Sequence, residues 1–175
     1  MAVHRCSPSQ WGDGVRRKRL DSKGTIHYLG SYERSVGNGV DTAEVVTKYY
    51  RALGRSIAYR KNGTIYWVGT DHLGGTIRVA DAGFVSVDQM RYTPYGGHRN
   101  SPAGLQTDHL FASQTFDDSV GLYWYGARAY DSALGRFCQA DGIVPGAGNP
   151  QALNRYSYVF NNPLKYVDAQ GHAPA

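Results

Sequence analysis

The sequence predicts an all-β protein, a strip of short antiparallel β-hairpins, and three features carry that expectation. Composition is the first: 14 Tyr and 22 Gly stand against 5 Phe, 2 Met and 3 Trp in 175 residues. Tyr suits a pleated, half-buried surface, and Gly supplies the positive φ of tight turns. Second, Gly- and Asn-containing turns recur between runs of β-branched and aromatic residues. Third, Lys23-Gly24-Thr25-Ile26-His27-Tyr28 is echoed by Asn62-Gly63-Thr64-Ile65-Tyr66-Trp67. Such a unit cannot bury its faces alone and needs stacked neighbours, as in a repeat array resembling a β-solenoid.

Residues 1–14 have no periodicity and read as a frayed entry segment. Asp21-Ser22-Lys23-Gly24 is a turn before a strand at Thr25–Leu29, with a partner strand from Tyr32 to Ser35. Gly37-Asn38-Gly39 marks a loop. Residues 43–50 have a helical alternative, but Val45, Val46, Thr47, Tyr49 and Tyr50 favour a strand. Lys61-Asn62-Gly63 is a strong hairpin signal before TIYWV. TIRVA, a turn at Asp81-Ala82-Gly83 and FVSVDQMRY continue the meander, with Val85 and Val87 alternating against Ser86 and Asp88. Residues 94–109 form a polar loop, GLYWYGARAY the longest aromatic run, and LGRFCQAD a strand pairing back on it. After a loop at 142–150, a short helical turn starts at Pro150, and RYSYVF is expected as a strand.

A formal charge of +5 could attract polyanions, and much of it sits in Arg16, Arg17, Lys18 and Arg19. No nucleic-acid motif accompanies it, so these residues read as a solvated basic strand and no nucleic-acid partner is expected. Cys6 and Cys138 give no disulfide framework and have no zinc-site spacing. The six His are scattered, and His72 reads as a turn or core residue. Neither a metal nor a cofactor is expected. Ser113 and Ser119 lack the context of a serine hydrolase. No apolar stretch approaches a membrane span, and the opening residues lack a signal-peptide h-region, so localisation is unknown from the sequence.

Ordered motifs then point to a family. Asp71-His72-Leu73-Gly74-Gly75-Thr76 resembles D-H-L-G-S-T, and Tyr92-Thr93-Pro94-Tyr95-Gly96 resembles Y-x-P-[FY]-G. Gly121-Leu122-Tyr123-Trp124-Tyr125-Gly126-Ala127-Arg128-Ala129-Tyr130-Asp131 resembles G-L-Y-Y-x-x-A-R-Y-Y-D-P. Gly135-Arg136-Phe137, Gln139-Ala140-Asp141, the block from Asn154 to Leu164 and Asp168-Ala169-Gln170-Gly171 follow in register. The chain therefore resembles the RHS/YD-repeat family, with residues 60–171 as its RHS repeat-associated core domain. Residues 15–59 would be upstream YD-type hairpins, and 172–175 a residual tail. The resemblance implies a spiralling β-strip whose core domain plugs a hollow shell around a C-terminal polypeptide, often a polymorphic toxin; other members act at cell surfaces. It implies a secreted or surface location, with the remaining repeats or the chain's own C-terminal segment as partners. Too few hairpins are present to surround a cargo, so the chain is expected to be a fragment of that architecture.

In toxin-type members core-domain aspartates cut just after D-P-x-G-[L]. The matching positions are Asp117 and Asp141, with Asp168, Gly171 and His172 as the cleavage motif and the cut between His172 and Ala173. Paired carboxylates suit acid–base work because two held close cannot both ionise. The competing reading of each aspartate is a turn residue bonding the backbone two positions on. Asp141 precedes Gly142 and Asp168 precedes Ala169 where the family carries Pro, which loosens φ at both places. The resulting expectation is a weak or idle autoprotease. A third function class is a glycan- or protein-binding surface made by the aromatic run. An uncapped strip of this size is also expected to self-associate through its strand edges.

Overall fold

The computed structural model describes residues 18–21, 24–37, 43–100, 105–143, 148 and 150–172. The strip is present. Eight antiparallel strands lie side by side in chain order: β1 (Lys18–Asp21), β2 (Gly24–Leu29), β3 (Tyr32–Gly37), β4 (Glu44–Ala52), β5 (Arg55–Lys61), β6 (Thr64–Thr70), β7 (Thr76–Ala80) and β8 (Ser86–Gln89). Two short turns set much of the register. Leu53-Gly54 and Asn62-Gly63 both place their two residues at positive φ, the geometry whose twist matches that of paired strands. Asn62 does more than turn the chain. Its side-chain Oδ1 accepts from Val46 N–H at 2.9 Å and its own N–H donates to the Val46 carbonyl at 3.0 Å, tying the β5–β6 hairpin to β4.

A second, four-stranded sheet in the order β12-β11-β10-β9 packs with the strip. Its strands are β9 (Thr115–Asp117), β10 (Leu122–Trp124), β11 (Ala129–Asp131) and β12 (Arg136–Phe137). The aromatic run thus folds into a hairpin, with Tyr123 opposite Tyr130, and LGRFCQAD pairs back on it through Tyr130 and Phe137. Tyr123, Tyr125, Tyr130 and Tyr158 are fully buried with Phe111 and Phe137. Their rings lie mostly edge-on or tilted, as the ring quadrupole favours, with the Tyr130–Tyr158 centroids 4.6 Å apart. Each phenol finds a partner. Tyr123 donates to the Gly96 carbonyl, Tyr130 to the Tyr95 carbonyl, and Tyr125 to the Tyr158 oxygen. Tyr is preferred to Phe because its edge can close on the loop backbones.

Three sequence expectations need correction. RYSYVF is not a strand: Ser157 makes a single bridge to Arg136, after which Val159–Asn161 is a 3₁₀ turn. The positive φ of Val159, Phe160 and Asn161 is incompatible with a pleated run. FVSVDQMRY yields only β8, because Phe84 sits in the turn at φ 62° and stacks on Trp67. The basic N-terminal strand is not wholly solvated, since Arg19 is 9% exposed and pairs with Asp108 and Asp117. Arg16 and Arg17 lie outside the described residues, as does Cys6. The helical turn expected at Pro150 is observed as a 3₁₀ turn, Pro150–Leu153. Among the described residues no helix is long and apolar enough to cross a membrane.

Truncating a fully buried ring removes its contacts and leaves a cavity. Tyr130→Ala is expected to cost about 3–5 kcal/mol, whereas Phe84→Ala, at an exposed ring with one stacking partner, should cost less than about 1.5 kcal/mol. Urea unfolding of both variants would measure the difference, and equal losses would deny the ring cluster its central place.

Candidate functional site

Arg128 is the only charged side chain between Gly121 and Tyr130. It leaves the turn between β10 and β11 and is 5% exposed. A charge taken out of water at that depth must be paired and hydrogen-bonded on every side. The guanidinium stacks on the Phe137 ring at 3.6 Å, and Nη2 lies 2.9 Å from Asp141 Oδ2 and 3.4 Å from Asp168 Oδ2. Nη1 donates to the Arg155 carbonyl at 3.0 Å, and Nε donates to the Gly171 carbonyl. Burial lowers the Arg128 pKa, opposed by the charges of Asp141 and Asp168.

The two carboxylates have unlike surroundings. Asp168 Oδ1 accepts the backbone N–H groups of Gln170, Gly171 and His172, which winds 168–172 into a tight loop. Its other oxygen faces Arg128, so this carboxylate serves as a loop anchor. Asp141 Oδ1 accepts from Ile143 N–H at 2.9 Å and lies 3.0 Å from His172 Nδ1. Arg155 donates from Nε and Nη2 to the Asp141 carbonyl, and Asp141 N–H donates to the Arg155 carbonyl. Asp141 is 5% exposed and Asp168 2%, beside a cavity of about 30 Å³ also bordered by Ser157 and Val159. That is room for about one water.

Of the aspartates singled out in the sequence, the structure brings Asp141 and Asp168 together with Gly171 and His172. Asp117 belongs to a different group: its Oδ1 accepts the Ser119 hydroxyl at 2.6 Å and lies 3.8 Å from Arg19 Nη1, at the β9–β10 turn. Sequence reasoning did not pick out Arg128, although a lone charge within a run expected to be buried is a usable signal. His72 is a turn residue, its Nε2 bonded to the Leu164 carbonyl at 2.9 Å. Ser113 donates to the Gly74 carbonyl and Ser119 to Asp117. Cys138 is half-buried. Tyr123, Tyr125 and Tyr130 face inward, out of reach of a sugar ring.

A second polar group also went unread in the sequence. Glu33 of β3 meets Asp108 and His109 from the loop before β9, one potential ligand atom of each lying within 4.8 Å of the others. Burial, reinforced by the Glu33 charge, pushes the Asp108 carboxyl up to about 6.

A family model, Teneurin YD-shell, matches residues 40–164. Salivary gland surface protein 1 of Aedes aegypti is 32% identical over 157 residues, covering 86% of this chain and 4% of that protein. Toxin subunit YenC2 of Yersinia entomophaga is 35% identical over 92 residues, covering 50% of this chain and 9% of the toxin subunit. Among solved structures, the Photorhabdus luminescens Tc holotoxin pore carrying a TccC3 point mutation superposes at a TM-score of 0.76 with 22% identity. That match covers 94% of this chain and 9% of the other. The chain thus spans less than a tenth of the length of each of these proteins.

Gly171 is the tightest point of the loop. Its φ is +79°, and a Cβ there would run into the Tyr125 carbonyl oxygen. Gly171→Ala is expected to destabilise the chain by about 1–3 kcal/mol through strain and to lift the loop from Arg128. Hydrogen exchange at the Gly171 and His172 amides should speed up while β4 and β5 stay protected; unchanged exchange would show that the loop does not need this glycine.

Proposed function

The chain belongs to the teneurin YD-shell family of RHS/YD-repeat proteins, and from that premise we propose that it closes such a shell at the C-terminal end. The observation that carries this reading is the seating of loop 168–172 on Arg128 through the buried Asp168 and Gly171, behind a sheet filled with tyrosine rings. A loop held this tightly is suited to anchoring the polypeptide that continues from it. The eight-stranded strip supplies the rest. Among the described residues β1 is the outermost strand, and an earlier hairpin could extend the strip there by strand addition. Remaining repeats and a C-terminal segment are the partners this arrangement fits.

The test is a chimaera in which residues 18–172 replace the matching segment of a relative's repeat shell, with a reporter polypeptide fused behind. Closure predicts that the reporter survives added protease. A reporter degraded as fast as in the relative lacking the segment would refute the closing role.

The site favours a second, compatible reading: a single self-cleavage at the C-terminal edge of the loop. The step is assigned to Asp141, which is supported by its contact with the His172 ring and by the Arg128 and Arg155 bonds that fix its position. In this reading Asp141 takes a proton from a water that adds to the His172 carbonyl carbon. It returns that proton to the Ala173 nitrogen as the peptide bond breaks, and no other reactant is consumed. Arg128 and Asp168 are positioning residues that hold the loop, which supplies the effective concentration of a tethered substrate. Asp117 acts at a distance, keeping the β9–β10 turn and Arg19 in place.

Intact mass after expression with a C-terminal extension decides between an active and an idle site. An active site gives cleavage after His172 in the parent, lost in Asp141→Asn and retained in Asp117→Asn. A cut after Gly171 would instead mark the carbonyl that Arg128 holds, and a full-length parent would leave the closing role alone.

A further inference from the structure

Glu33, Asp108 and His109 are drawn together from opposite parts of the fold. Each has one heteroatom held by an outer partner. The Tyr49 hydroxyl donates to Glu33 Oε2 at 2.9 Å, His109 Nδ1 faces the Ser113 carbonyl at 3.2 Å, and Arg19 lies 3.7 Å from Asp108 Oδ2. Glu33 Oε1 and His109 Nε2 face one another, and a carboxylate oxygen of Asp108 lies within 4.8 Å of the ligand atoms of both residues. A carbonyl can only accept, so Nδ1 carries the ring proton in neutral His109 and the Nε2 lone pair points at Glu33 Oε1, 3.1 Å away. At that distance either a second ring proton, giving an imidazolium paired with Glu33, or a metal ion between or beside the two atoms satisfies both. Asp108 Oδ1 gives a second sign: it is a buried oxygen with no hydrogen-bond partner. A buried carboxylate oxygen without a donor is costly unless something positive reaches it.

From this convergence we propose that Glu33, Asp108 and His109 form a binding site for one divalent transition-metal ion of the zinc class. One imidazole with two carboxylates suits zinc or manganese better than calcium, which prefers six or more oxygens. In a tetrahedral zinc site with bonds of about 2.0–2.1 Å, neighbouring ligand atoms are about 3.3 Å apart, close to the Glu33–His109 separation. A carbonyl on the far imidazole nitrogen and a phenol on the far carboxylate oxygen are the outer contacts that orient ligands in metal sites. Three protein ligands leave a fourth position for water, and the site is reachable. Glu33 and Asp108 line a cleft of about 450 Å³, and His109 lines the neighbouring one of about 760 Å³. The ion would staple β3 of the strip to the loop that enters the closing sheet, joining positions 33 and 109 across the chain. This role is independent of self-cleavage, since none of the three residues touches the Arg128 cluster.

The test is zinc titration of the tag-free chain, read by calorimetry and by the imidazole ¹⁵N shifts of the six histidines. One ion per chain, a shift confined to His109 Nε2, and a higher melting temperature are expected, with calcium giving none of these. Glu33→Gln and His109→Gln should each weaken binding at least tenfold. Tyr49→Phe, which keeps the ring and loses only the hydroxyl, should weaken it about 10–100-fold. The proposal fails if the parent binds no zinc, leaving an imidazolium–carboxylate pair only. It also fails if His109 Nε2 is unmoved while zinc binds elsewhere, as at Cys138 or His172. Should a variant not fold, the parent's ¹⁵N shifts alone decide.

Discussion

The guanidinium of Arg128 is the constraint on which the C-terminal half of this fold depends. A buried cation without partners would cost several kcal/mol, so its surroundings must all arrive for the native state to be stable. They come from separate stretches of chain: Phe137 in β12 and Asp141 after it, the Arg155 carbonyl before the Val159–Asn161 turn, and Asp168 with the Gly171 carbonyl further on. Hydrophobic burial of the tyrosines would tolerate small shifts between these pieces. A planar donor group with fixed directions does not. The rings supply driving force, and Arg128 supplies the registration.

Much of the fold was legible because the strip obeys local rules. Asn62-Gly63 specifies its turn from two residues, and among the described residues each strand from β1 to β8 pairs with its neighbours in sequence. Where the reading failed, the deciding information was not local. RYSYVF has the composition of a strand, but the segment must pass Tyr158 into the ring cluster and turn at once, which the left-handed residues 159–161 accomplish. Arg19 looks like one of four basic surface residues, and only the arrival of Asp108 and Asp117 makes it a buried ion.

The candidate site divides along the same line. Asp141, Asp168, Gly171 and His172 could be named from motif order, and they do converge. The motif could not give the different tasks of the carboxylates. Asp168 spends one oxygen on three backbone amides, a turn-type use, while Asp141 faces the His172 ring. Asp117 carries the same side chain in a similar motif step, yet it meets another arginine. Side-chain type and spacing fix what a residue can do, and the partner cation fixes what it is placed to do.

The sequential order of the eight-stranded strip also has a temporal meaning. Contacts between adjacent strands close small loops, so hairpins can form as soon as each pair of strands is synthesised, at little cost in chain entropy. Contacts made by the C-terminal half have no such freedom: Glu33 waits 76 residues for His109, and Arg128 waits 40 for Asp168. Assembly is therefore vectorial, with the strip laid down first and the loop at 168–172 seated last. The loop meets Arg128 only after the strands behind it stand, so the fold itself enforces the order of construction.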